Sequence, residues 1–105
     1  MAYDEALAAR VRDVVAAHGA AEEKRMFGGL AFMLGGRMAV CVSGQGGLLL
    51  KVGEDALPGL LGEHVAPMEM GGRASKSWVR VAPESLTGDD ELAAWVARGA
   101  ASAAG

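Results

Sequence analysis

Three residues of the 105-residue chain could serve as nucleophile, base or metal ligand near neutral pH: Cys41, His18 and His64. A metal site needs such side chains at short, regular spacings, and a nucleophile needs a base within hydrogen-bond reach. These three stand far apart, one in a strand pattern and two at the ends of helical patterns. Cys41 reads as a small hydrophobe of the strand. His18 suits the negative C-terminal end of a helix. The carboxylates cluster where helices begin, as capping requires, and no acid–base pair stands out among them. The residues are those of a non-enzyme with no metal site and no cofactor.

The cations are the second group with chemistry to offer. Residues 24–53 contain Lys24, Arg25, Arg37 and Lys51 and no acid, while all thirteen Asp and Glu lie outside that stretch. Farther on, Lys76, Trp78 and Arg80 alternate with Ser77, Val79 and Val81. That phase sets a tryptophan between two cations, either as a core residue whose neighbours reach outward to water or as the anchor of a binding patch. Gly71-Gly72-Arg73-Ala74-Ser75-Lys76 is a glycine-rich basic loop of a kind that can hold an anion, but it matches neither the P-loop nor the dinucleotide fingerprint. It reads as a solvated loop, and Gly44-Gln45-Gly46-Gly47 as a hairpin turn. The residues available for recognition are Lys24, Arg25, Phe27, Arg37, Lys51, Arg73, Lys76, Trp78 and Arg80.

These residues have to be positioned by the elements around them. Asp4 and Glu5 open a helix over residues 4–18, with Leu7, Val11, Val14 and Val15 on one stripe and Gly19 as its cap. Met26 to Leu34 is almost wholly apolar and forms a strand interrupted by Gly28-Gly29. Those glycines read as a bulge or a close backbone approach, ahead of a surface left open for a partner. Gly35-Gly36 marks a two-residue hairpin turn. The next strand, Arg37 to Ser43, puts Met38, Val40 and Val42 on one face, and Leu48 to Val52 is a third. Asp55 is placed to cap a short second helix carrying Leu57, Leu60 and Leu61, and Pro67 ends that region. A short strand near Met68 to Met70 and a longer one from Ser75 to Ala82 follow. The last helix starts near Thr87 or Gly88, carries Leu92, Trp95, Val96 and Gly99 inward, and frays over Ala100 to Gly105.

The order α-β-β-β-α-β-β-α predicts a two-layer α+β domain spanning 1–105, an antiparallel β-sheet with helices on one face. Met26 to Leu34 carries large apolar residues on both sides, though a one-layer sheet needs only one. Either a second copy covers the other face, giving a homodimer, or a bulge shifts the phase.

Composition bounds the rest. The chain is 51% hydrophobic, enough for a core without staples, and has one cysteine, too few for an internal disulfide. Acidic residues near the start do not fit a signal peptide, and no apolar run approaches a membrane span. The expectation is a soluble, cytoplasmic protein with no membrane partner. A net charge of −3 disfavours a general nucleic-acid binder.

Lys24-Arg25-Met26-Phe27-Gly28-Gly29-Leu30-Ala31-Phe32-Met33, followed by Gly36-Arg37-Met38-Ala39-Val40, resembles the hallmark segment of the TfoX/Sxy family's N-terminal domain. Gly47 to Lys51, Trp78 to Pro83 and Asp90 to Trp95 resemble its third strand, late strand and last helix. The resemblance implies a helix-covered antiparallel sheet and a regulatory, competence-related role. It points to a single-domain member without the family's C-terminal domain and brings no catalytic residues. The function expected is a non-catalytic protein-interaction or regulatory module, self-associating and binding an unidentified protein. Nucleic-acid binding through the basic strand and loop residues is the alternative, and a small ligand-binding domain the third.

Overall fold

The computed structural model describes residues 3–26 and 28–104. Its elements are α1 (Glu5–Val15), a 3₁₀ turn Ala16–His18, β1 (Glu22–Met26), β2 (Gly29–Leu34), β3 (Arg37–Val42), β4 (Leu48–Lys51), α2 (Leu57–Leu60), β5 (Val65–Met70), β6 (Arg73–Val81), a 3₁₀ turn Pro83–Leu86 and α3 (Asp89–Ala104). The six strands form one antiparallel sheet in the order β1-β2-β3-β4-β6-β5. The α+β two-layer architecture stands. The first block of strands gains one member, because Glu22 to Arg25, ahead of the segment read as the first strand, pairs with β2.

That added strand, β1, has the sequence Glu-Glu-Lys-Arg-Met and is almost fully exposed. Pairing with β2 holds it in the sheet. A two-pronged ion pair adds to this: Arg12 of α1 donates through Nε and Nη2 to the Glu23 carboxylate at 2.6 and 2.8 Å. The pair holds the Glu23 carboxyl below its usual pKa. The Arg12 guanidinium also sits 5.9 Å from the Phe32 ring centre, which fixes its direction.

One sheet face meets the helices. Leu7, Ala8, Val11 and Val15 of α1 and Leu92 and Val96 of α3 bury against Leu30, Phe32, Val40, Val42, Leu48, Leu50, Val79 and Val81. Each large apolar side chain taken fully from water contributes roughly 1.5–3 kcal/mol, so this layer dominates stability. Asp4 caps α1 as its sequence predicts, accepting from Ala6 N and Leu7 N at 3.0 and 3.1 Å. At Gly99, α3 lies directly on the β3 backbone, where a Cβ would collide with the Ala39 carbonyl oxygen.

Several local expectations change. Gly28 turns the chain between β1 and β2 at φ +71°, and a Cβ on Gly29 would strike the Val42 carbonyl oxygen. The Gly28-Gly29 break is therefore a turn followed by a close approach, and the bulge lies elsewhere. The β2–β3 register shifts between Phe32 and Met33, so Val40 faces Phe32 while Met38 faces Met33, with Ala39 unmatched between them. Met38 consequently leaves the face of Val40 and Val42. Pro67 lies within β5, which is an edge strand and can lose a donor without breaking a ladder. Gly71 and Gly72 form a hairpin turn at φ +59° and +81°, so β6 begins at Arg73 where a loop was expected. α2 is a single turn without the Asp55 cap. α3 runs to Ala104 because Ala100 and Ala103 are buried. Among the described residues no helix is long and apolar enough to cross a membrane.

Candidate functional site

Cross-strand neighbours share a face of the sheet, so the ladder shows what the helix-free face contains. Met26 pairs with Gly29, Lys24 with Ala31, and Met33 with both Glu22 and Met38. Cys41 joins Ala31 to Leu49, which pairs with Arg80. Arg80 in turn pairs with Ala66, and Lys51 with Trp78. Ala31, Cys41, Leu49 and Met68 are buried here as a second, smaller core, with Met26, Met33, Met38 and Trp78 partly exposed around it. Among the described residues no helix contributes to this core. The central residues are shielded by long flanking side chains, three of them methionines, which adapt readily to irregular contacts.

Cys41 lies at the middle of this face. Burial pushes its thiol up to about 11, against a smaller downward pull from Arg80. A thiol so protonated is a poor nucleophile. His18 ends the 3₁₀ turn after α1 and His64 precedes β5, and neither belongs to the buried cluster around Cys41. Among the described residues no three His, Cys, Asp or Glu side chains come together as metal ligands.

Of the recognition residues, Phe27 lies outside the described residues. Lys24 and Arg25 are exposed on the edge strand, but Lys24 shares the open face with Ala31 while Arg25 shares the helix face with Leu30. Arg73 and Lys76 are exposed at the far end of the β5–β6 hairpin. Arg80 is half-buried, and its Nη1 donates to the Ser43 hydroxyl at 2.8 Å. Ser43 is buried and also accepts from Gln45 N at 3.0 Å, so Arg80 braces the β3–β4 turn. Its place in the sequence pattern gave no sign of this.

Three of the nine do converge. Arg37 at the start of β3, Lys51 at the end of β4 and Trp78 in β6 line one cleft of about 450 Å³, together with Met38, Ser102 and Ala103. The Ser102 hydroxyl donates to the Lys51 carbonyl at 2.6 Å and ties the end of α3 to β4 there. The Ser75 hydroxyl accepts from Ser77 N and Trp78 N at 3.2 and 3.0 Å, just before the tryptophan in β6. A broader hollow on the helix side is lined by His18, Leu34, Gly35, Arg37 and alanines of α3.

A family model described as the TfoX N-terminal domain matches residues 13–103. No curated relative and no solved structure gives a significant match.

Proposed function

The chain belongs to the TfoX N-terminal domain family, and from that premise we propose that it is a non-catalytic, competence-related regulatory module that works by protein contact through the helix-free face of its sheet, a second copy being its first partner. The observation that carries this reading is the second core, Ala31, Cys41, Leu49 and Met68, rimmed by half-exposed methionines and Trp78 with no layer above it.

Association through a face fits the sheet edges better than strand addition does. β1 presents Glu22, Glu23, Lys24 and Arg25 in a row, and β5 contains Pro67. Charge and proline at an edge both discourage a further strand. The separation of Lys24 from Arg25 onto opposite faces also breaks any continuous basic stripe along β1, which weakens the nucleic-acid alternative.

Light scattering after size exclusion tests the self-association. The native chain is expected to run as a dimer, and the double variant Met33→Glu/Met38→Glu as a folded monomer. A native chain that stays monomeric at high concentration would remove the second copy from the proposal.

A further inference from the structure

The Arg37–Lys51–Trp78 cleft has properties that protein contact through the open face does not use. Among the described residues two cations line it and no carboxylate does. Among the described residues the ion pairs are Arg10–Asp89, Arg12–Glu23 and the longer His64–Glu63 contact, so neither Arg37 nor Lys51 is neutralised by a partner. Both are exposed. The cation–π contacts among the described residues are Arg12 on Phe32 and Arg98 on Trp95, so no cation covers Trp78.

The end of α3 offers a structural reason for the two cations, because a helix C-terminus carries about half a negative charge. Its last turn contains no basic residue of its own. That half charge offsets only part of two positive charges and leaves roughly +1.5 in the cleft. A single carboxylate would still leave it positive. A phosphomonoester, at about −1.5 to −2 near pH 7, would balance it. Met38 and Trp78 supply an apolar, partly flat wall beside the charge. The cleft volume of about 450 Å³ falls within the range of small-molecule sites, about 300–1,000 Å³.

The geometry points to a binding site for a small phosphomonoester bearing a flat apolar group, with the phosphate on Arg37 and Lys51 and the flat group against Trp78 and Met38. Ser102 holds the site's back wall through its bond to the Lys51 carbonyl, which fixes the strand end from which the lysine projects. Trp78 and Met38 also rim the second core, so a second copy seated there would compete with the ligand for them.

The test is a titration of the full chain with phenyl phosphate, read by Trp78 fluorescence in a Trp95→Phe background. Inorganic phosphate, benzyl alcohol and a single-stranded oligothymidylate without terminal phosphate serve as comparison probes. Saturable binding of phenyl phosphate is expected, with weaker binding of inorganic phosphate and none of benzyl alcohol. Arg37→Gln and Lys51→Gln should each weaken it by about tenfold or more, the usual effect of losing a charge-assisted hydrogen bond. Lys51→Arg should retain it, which separates loss of charge from loss of fold. No saturation with phenyl phosphate would overturn the assignment, as would binding unchanged in both glutamine variants. Tighter binding of the oligothymidylate through the same residues would overturn it in favour of a nucleic-acid groove.

Discussion

At the scale of single residues the strongest determinant is burial. Cys41 is the only thiol, and it is sealed under Met26, Met33 and Met38 with its Sγ 3.9 Å from the Met26 carbonyl oxygen. Two consequences follow from a thiol held near 11. Alkylation by iodoacetamide at pH 8 should be slow in the folded chain and fast in denaturant; equal rates would show that the second core is open. The folded pKa lies above the unfolded one, so the neutral thiol's contribution is complete below the unfolded value of about 8.5. It should then fade as pH rises through about 11. Cys41→Ser should therefore flatten the alkaline limb of a stability–pH curve and leave the acid limb unchanged. Arg80 shows the converse case, a cation whose hydrogen bond to buried Ser43 makes it part of the fold.

At the scale of elements, the contact of α3 with β3 sets the thickness of the helix layer. Gly99 allows the helix axis to approach Ala39, the unmatched residue of the bulge. An alanine at position 99 would gain about 1 kcal/mol of helix propensity. It would also drive a methyl into the Ala39 carbonyl, and overpacking of this kind costs about 1–3 kcal/mol. Because the obstacle is backbone, the clash should win. Gly99→Ala is expected to lower the urea midpoint with little change in slope, and a rise in that midpoint would contradict the packing. The bulge acts on the opposite face as well. Were Ala39 paired opposite Met33 in an unbroken ladder, Met38 would point toward the helices, and the rim of the second core would lose a member.

At the scale of the whole molecule the sheet is unevenly supported. β3 and β4 lie in its middle and are buried on both faces, whereas β1 is a charged edge held by one ladder and the Arg12–Glu23 pair. Amide hydrogen exchange should be slowest in Val40 to Val42 and Leu48 to Leu50 and fastest in Glu22 to Arg25, the region expected to open locally. Protection of β1 equal to that of β4 would mean that an unseen layer covers the edge. The open face is weighted toward bases, although Glu22 shares it through its pairing with Met33. Asp89, Asp90 and Glu91 open α3 in the helix layer, while Lys24, Lys51 and Arg80 share the open face with the methionines. A partner for that face should meet it with apolar side chains rimmed by acids.

Much of this was legible from residue order. The stripe Leu7-Val11-Val15, the Asp4 cap, the Gly35-Gly36 turn and the inward Leu92 and Val96 all rest on local periodicity and backbone preference, which short segments carry by themselves. The two-sided apolarity of β2 was also visible, and both of its faces do bury residues. Less was visible where pairing partners decide. Glu22 to Arg25 has no apolar alternation, so only the ladder to β2 reveals it as a strand. The bulge at Ala39 reverses one methionine without leaving a mark in the sequence. Pro67 reads as a stop unless β5 is known to be an edge. Among the cations, residue type and exposure could be anticipated, but not company. Lys24 and Arg25 are adjacent in sequence and divided by the pleat, while Arg37, Lys51 and Trp78 are distant in sequence and line one cleft. The sequence alone determined the elements and the kinds of side chain available. Register and strand order, which depend on long-range pairing, decided which of those side chains meet.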